Sequence, residues 1–238
     1  MSAYHELSPK KILSEITMGK KFLIAIDLGT TGNRVFCFDE HGLPISSSYA
    51  EFTQYFPKPG WVEHNPKEYW DTTLFCAKEA MNKAGIEASQ IAGIGITDQR
   101  ETTIIWDKET GEPVYNAIVW QCRRTASICE DLKAKGLEEK VRQKTGLTID
   151  AYFSATKIKW IMDHVSGVKE RMRSGELIMG NIDSWLMWNL SGRRMHVTDY
   201  SNASRTMLFN VQNLEWDQEL LDIMEIPREI FPEPKPSS

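Results

Sequence analysis

Along this chain, short apolar runs bounded by glycine alternate with longer stretches whose apolar residues recur at three- and four-residue spacing. The first run, FLIAIDLG, is rich in β-formers and ends in glycine, which predicts a strand. NRVFCFDE and LPISSSYAEF follow with a His41-Gly42 turn between them, and the three runs predict an antiparallel meander. NPKEYWDTTLFCAKEAMNKAG then predicts a helix, with Asn65 as N-cap, Pro66 in the first helical position and Gly85 closing it. IAGIGITD is short and nearly continuously apolar, the pattern of a buried central strand.

Farther along, TTIIWD and YNAIVW predict strands on either side of a KETGEP turn. From Thr125 to about Val165 the character is helical, in TASICEDLKAK, LEEKVRQKTG and SATKIKWIMDHV. ELIMGN predicts a strand, DSWLMWNL a helix capped by Asp183, HVTD and TMLFN a short strand pair, and DQELLDIM a last helix. The tail PREIFPEPKPSS carries four prolines and is expected to continue neither helix nor strand. A meander followed by alternating helices and strands implies an α/β chain, a mixed sheet with helices on both faces. The expected organisation is a polar extension over residues 1–20 with a short helix at 12–18, one domain over 21–232, and a proline-rich tail over 233–238. Met18 is a candidate second start.

Composition narrows the function classes. The 238 residues are 41% hydrophobic and 26% charged, with a formal net charge of -5 and the charges interspersed. Binding to nucleic acid or to an anionic membrane needs a concentrated basic face, so neither partner is expected. No apolar run approaches the roughly 20 residues that span a bilayer. Cys37, Cys76, Cys122 and Cys129 form no CxxC pair, which suggests free thiols in a reducing cytoplasm.

The candidate chemistry begins at Asp27-Leu28-Gly29-Thr30-Thr31-Gly32-Asn33-Arg34, between two predicted strands. A strand running into a glycine-flanked hydroxyl turn can aim several backbone N–H groups at one point, a concavity that suits phosphate oxygens. Thr30 and Thr31 add hydroxyl donors, Asp27 is placed to hold Mg²⁺ directly or through water, and Arg34 can offset charge on a phosphoryl group. The same residues equally suit a plain hairpin in which Thr and Gly shape the turn and Asp27 accepts turn hydrogen bonds. The segment is not a P-loop, which needs GxxxxGK[ST] leading into a helix.

Farther on, the blocks PKPGWVEHNP, ITDQRETTIIWDKETGEPVYNAIVWQCRRT, TGLTIDAYFSATKIKWIMDH and HVTDYSNASRTMLFN are decisive. From about Phe22 to Phe231 the chain resembles the glycerol kinases of the FGGY carbohydrate kinases. That resemblance implies the actin-like ATPase, ribonuclease H-like fold and ATP-dependent phosphorylation of glycerol. By position it makes Asp27 the metal-associated aspartate and Thr30, Thr31, Gly32 and Arg34 the nucleotide-phosphate contacts. It makes Arg100, Glu101 and Tyr152 ligands of glycerol hydroxyls, and Trp120 a wall against the carbon backbone.

A triol both donates and accepts at each hydroxyl, so carboxylate acceptors beside guanidinium donors suit it, and Arg100 and Glu101 are expected to neutralise each other in part. Read without the resemblance, the Arg-Glu pair would be two solvated surface residues, Trp120 core and Tyr152 a packing residue. The Arg123–Arg124 pair has no assigned role, and Trp160, Trp185 and Trp188 fall at helical spacing and are expected in the core.

Two departures qualify the resemblance. Many glycerol kinases carry serines where this chain has Gly32 and Asn33. The family's general base lies in a GDQQ-type segment, and its adenosine site in a second domain. Neither occurs in these residues, so the 238-residue chain is expected to be inactive alone and to meet ATP through a domain it lacks. Other readings are a kinase for another polyol and a truncated, non-catalytic binding or regulatory subunit. A homo-oligomer is compatible with the sequence.

Overall fold

The computed structural model describes Gly19 and residues 21–237, so the helix expected at 12–18 lies outside the described residues. Two compact units emerge. One comprises the described residues up to Phe52 together with Tyr69–Asp98, the other Thr53–Glu68 together with the chain from Gln99 onward.

In the first unit the expected meander forms. Strands Phe22–Leu28, Gly32–Phe38 and Pro44–Glu51 pair antiparallel in sequence order, and Ile91–Asp98 adds in parallel beside Phe22–Leu28. Alternation sorts the side chains: Phe22, Ile24, Ile26, Leu28, Val35 and Cys37 are buried, while Leu23, Asp27, Arg34 and Ile94 are exposed. The buried residues Tyr69, Thr73, Cys76 and Ala80 lie on helix Pro66–Ala84. Asn65 caps this helix as expected, its Oδ1 accepting the Lys67 N–H at 3.1 Å, and Gly85 ends it at φ 66°. The strand expected to be central and buried, Ile91–Asp98, is instead an edge strand in which every position is half-exposed or exposed. An apolar run records composition, and composition does not reveal how many neighbours a strand has.

The second unit is built from short pairs and helices around one apolar cluster that includes Ile105, Val119, Ile158, Ile161, Leu208 and Leu221. Ile104–Asp107 pairs antiparallel with Leu177–Gly180, and Glu63–His64 with Ala117–Ile118. The helices expected between Thr125 and Val165 form as Ala126–Ala134, Glu138–Thr145 and Ser154–His164. Gly146 at φ 72° closes the second of them.

Three local expectations change here. HVTD and TMLFN do not pair with each other. Val197–Asp199 runs parallel to Glu233–Lys235, and Phe209–Asn210 pairs with Glu215–Trp216. The proline-rich tail therefore does contribute a strand, which works because an edge strand tolerates a proline whose missing N–H is not needed for pairing. Asp183 is not a cap either. Helix Ile182–Leu190 starts after Asn181, and Asp183 is buried inside it, where its Oδ2 accepts the Thr198 hydroxyl at 2.6 Å. Burial pushes that carboxyl up to about 6.

The unassigned arginines are structural. Arg123 pairs with Asp150 at 2.6 Å. Arg124 is buried: it donates to Glu63 Oε1 at 2.7 Å and lies 3.9 Å from the Trp61 ring centroid and 4.7 Å from that of Trp160. Trp185 and Trp188 pack on Trp106, with Trp185 edge-on at 5.2 Å, as core residues should. The thiols of Cys37, Cys76, Cys122 and Cys129 are all free and buried. Among the described residues, no helix is long and apolar enough to cross a membrane.

Candidate functional site

In the first unit the candidate residues converge on the hairpin between Phe22–Leu28 and Gly32–Phe38. The Gly29 N–H donates to the Gly32 carbonyl at 3.1 Å, which closes a turn that presents half-exposed Thr30 and exposed Thr31. The Thr31 hydroxyl lies 3.4 Å from the Tyr49 hydroxyl. Asp27 and Arg34 stand directly opposite each other in the antiparallel register, both exposed. The Arg34 guanidinium lies over the Tyr49 ring, 5.1 Å from its centroid, a contact that orients it without consuming its N–H donors.

Close packing explains why glycine occupies position 32. A Cβ there would sit 2.5 Å from the Ala50 carbonyl oxygen and 2.7 Å from the Tyr49 hydroxyl, so a side chain would force the neighbouring strand to shift. Asn33 has a separate task. It is fully buried, and its Nδ2 lies 2.9 Å from the Tyr69 carbonyl, 2.7 Å from Thr72 Oγ1 and 3.0 Å from Thr73 Oγ1. The amide thus ties the hairpin to helix Pro66–Ala84.

The donor set at this turn fits a magnesium ion of ordinary kind. Asp27 is one exposed carboxylate, and Mg²⁺ is usually held by one or two carboxylates, several waters and substrate phosphates. An all-protein cage is not what the turn offers: among the described residues no group of three or more His, Cys, Asp or Glu is arranged to hold a metal.

In the second unit three of the four expected polyol ligands form a connected set. Glu101 is 2% exposed, although an Arg-Glu pair in a loop would ordinarily be solvated. Its φ is 67°, a left-handed conformation that costs a residue with a Cβ about 1–2 kcal/mol and is found at over-determined, functional positions. The surrounding structure holds it there: the Ser154 and Thr103 hydroxyls each donate to the Glu101 carbonyl at 3.2 Å. Its carboxylate is paired with Arg205, whose Nε donates to Oε1 at 2.6 Å.

The Arg205 guanidinium lies 5.7 Å from the Tyr152 ring centroid, and Tyr152 meets Trp120 edge-on at 5.5 Å. Trp120 and Tyr152 are both half-buried, as residues that offer an apolar flank to a ligand would be. The Trp120 backbone N–H donates to the Thr102 hydroxyl at 3.3 Å, which ties the Trp120 main chain to the segment after Glu101.

Arg100 behaves differently. It is exposed, and the partner that neutralises Glu101 is Arg205, 104 residues away in sequence, rather than its neighbour. Arg100 is solvated while Glu101 is buried, so adjacency in the chain does not become an ion pair in space.

Sequence reasoning also missed Lys157. This lysine is fully buried, and its ammonium donates to the carbonyls of Tyr152 and, at 2.9 Å, Phe153. Burial pushes it down to about 7, against the opposing pull of the Glu101 carboxylate. It sits one turn into helix Ser154–His164 and holds the carbonyls that precede the helix, which locks the Tyr152 backbone. A lysine among apolar residues on a helix face was the available signal, and it reads as a surface position unless the whole turn is known to be buried.

Residues 22–238 match the model of the FGGY family of carbohydrate kinases, N-terminal domain. Glycerol kinase 1 of Clostridium tetani is 61% identical over 218 residues, 92% of this chain and 44% of that protein. The glycerol kinase of Caldanaerobacter subterraneus subsp. tengcongensis is 58% identical over the same length and shares. Among solved structures, Plasmodium falciparum glycerol kinase with ADP superposes with a TM-score of 0.86 at 35% identity, covering 91% of this chain and 43% of that one. Gluconate kinase from Lactobacillus acidophilus gives 0.82 at 27% identity, covering 91% and 42%. The chain therefore spans less than half the length of the relatives it matches.

Proposed function

Because the chain belongs to the FGGY family of carbohydrate kinases, with their actin-like ATPase fold, we propose that it supplies the polyol-binding part of an ATP-dependent glycerol kinase. The observation that carries this reading is Glu101: a buried carboxylate in a left-handed backbone conformation, neutralised on one oxygen by Arg205, whose guanidinium lies over the Tyr152 ring that meets Trp120 edge-on. Such a group suits a small neutral molecule rich in hydroxyls. One carboxylate oxygen accepts a hydroxyl proton in a hydrogen bond, and the faces of Trp120 and Tyr152 cover CH and CH₂ groups. Arg100, exposed at the preceding position, adds donors for a second hydroxyl.

In the reaction, a glycerol hydroxyl oxygen attacks the γ-phosphorus of ATP and gives its proton to the general base that the family carries in its GDQQ-type segment, the bond to the β–γ bridging oxygen breaks, and ADP leaves. Thr30, Thr31 and the backbone of Gly32 would cradle phosphate oxygens while Arg34 offsets their charge. Mg²⁺, held by Asp27 and water, would supply charge neutralisation on the transferring group. The relatives named glycerol kinase at 58% and 61% identity favour glycerol over a larger acceptor. Four buried free thiols suit a reducing cytoplasm.

Titration calorimetry of the purified chain with glycerol, gluconate, xylulose and ribitol tests the acceptor. Saturable binding of glycerol alone is expected, and preferential binding of a five- or six-carbon acceptor overturns the assignment. A coupled ADP-release assay on the 238-residue chain is expected to show no glycerol-dependent turnover, because these residues contain no GDQ segment to supply the family's general base.

A further inference from the structure

One arginine reaches both kinds of group in the polyol cluster. Arg205 donates from Nε to Glu101 Oε1 at 2.6 Å, and its guanidinium lies 5.0 Å from the ring centroid of Phe153 and 5.7 Å from that of Tyr152. We propose that Arg205 is the positioning residue of the polyol site: it fixes which carboxylate oxygen of Glu101 faces the ligand and seats the Tyr152 ring beside it. The inference rests on the polyol reading of Glu101 and Tyr152 and extends it to a residue outside their sequence blocks.

The local structure leaves the guanidinium little freedom. Arg205 follows the short helix Tyr200–Ala203, and its N–H donates to the Asn202 carbonyl at 3.0 Å. The next residue, Thr206, bonds back through its hydroxyl to the Ala203 carbonyl at 2.7 Å. The Thr206 carbonyl accepts the Ala155 N–H at 2.9 Å, on the first turn of the helix that follows Tyr152. The segment bearing Arg205 is thus stitched to the segment bearing Tyr152.

A guanidinium held at Nε by a carboxylate and lying over two aromatic rings is confined in a way that a lysine ammonium, a point charge with no fork, does not reproduce. With Oε1 tied to Arg205, Glu101 keeps Oε2 for a hydroxyl and does not turn to offer its oxygens interchangeably. Arg205 itself is 30% exposed along its side chain, so small cations in solution can reach its place once the side chain is removed.

A purely architectural ion pair makes different predictions, and calorimetry with glycerol on the full chain separates the two. Wild type, Arg205→Ala, Arg205→Lys and Glu101→Gln are titrated with and without millimolar methylguanidinium, and each protein's thermal unfolding midpoint is recorded. The expected result is at least about tenfold weaker glycerol binding for Arg205→Ala, largely restored by methylguanidinium, which does nothing for Glu101→Gln. Arg205→Lys is expected to unfold near the wild-type midpoint yet bind several-fold more weakly, and it decides the matter should Arg205→Ala fail to fold. Wild-type affinity in either arginine variant, with binding lost in Glu101→Gln, overturns the inference and leaves the polyol reading intact. A wild-type chain that binds no polyol overturns both.

Discussion

The turn at residues 29–32 and the cluster around Glu101 are made of different materials. The turn is a backbone device. Its shape comes from strand pairing and a glycine with no room for a Cβ, and its side chains, Asp27, Thr31 and Arg34, stand in the open. The cluster is a side-chain device, in which a buried carboxylate, a buried lysine, an arginine and two rings hold one another in place. A turn of the first kind suits phosphate, which many ligands share, because backbone N–H groups recognise it without reference to what it is attached to. Discriminating one polyol from another needs fixed side-chain acceptors, whose burial carries a cost in desolvation and strain.

That contrast can be broken in four places. The largest effect is expected from Arg124→Ala, which leaves Glu63 buried without its cation and should destabilise the second unit by about 3–5 kcal/mol. Urea unfolding followed by tryptophan fluorescence reads it, since every tryptophan except Trp70 lies in that unit. A change below about 1 kcal/mol would mean that the second unit does not depend on buried charge.

Acid should act on the same unit. His64 is fully buried, its Nε2 2.6 Å from Gln54 Oε1, and burial pushes it from 6.5 down to about 4, with Glu68 opposing. The unfolded chain takes up a proton below about 6.5 and the folded one only near 4. The neutral ring's contribution is therefore complete above 6.5 and is lost as the pH falls from 6.5 to 4, by roughly 3 kcal/mol. In His64→Gln, the difference in unfolding free energy between pH 7 and pH 4.5 should shrink by about that amount, and an unchanged pH dependence would remove His64 from the account.

Next comes Glu101→Gln, expected to weaken glycerol binding about 100-fold, or about 2.7 kcal/mol, while nucleotide affinity of any longer gene product stays the same. Equal losses for both ligands would erase the division of labour. The smallest effect belongs to the turn. Gly32→Ala should cost about 1–3 kcal/mol through its clash with the Ala50 carbonyl, measured by circular dichroism in urea, with glycerol affinity unmoved.

The sequence made some of this legible and hid the rest for identifiable reasons. The meander, the Asn65–Gly85 helix and the turn could be read because each is encoded locally, in alternation, caps and glycines. The pairing of Val197–Asp199 with Glu233–Lys235 could not, because two three-residue strands carry no period and meet only through the folded chain. Asp183 imitates a cap in sequence, since nothing local distinguishes a carboxylate that accepts a backbone N–H from one that accepts a distant threonine. At the candidate site, block resemblance singled out Glu101, Trp120 and Tyr152, whereas Arg205 and Lys157 entered only through burial and long-range contact.

The buried thiols give the molecule a chronometer for each unit. Cys37 and Cys76 lie between sheet and helix in the first, Cys122 and Cys129 in the core of the second. Burial raises the thiols of Cys37, Cys76 and Cys129, so at neutral pH an alkylating reagent must wait for a unit to open before it finds a reactive thiolate. Mass-resolved labelling rates at the two pairs therefore record how often each half breathes, and whether glycerol quiets one clock and leaves the other running.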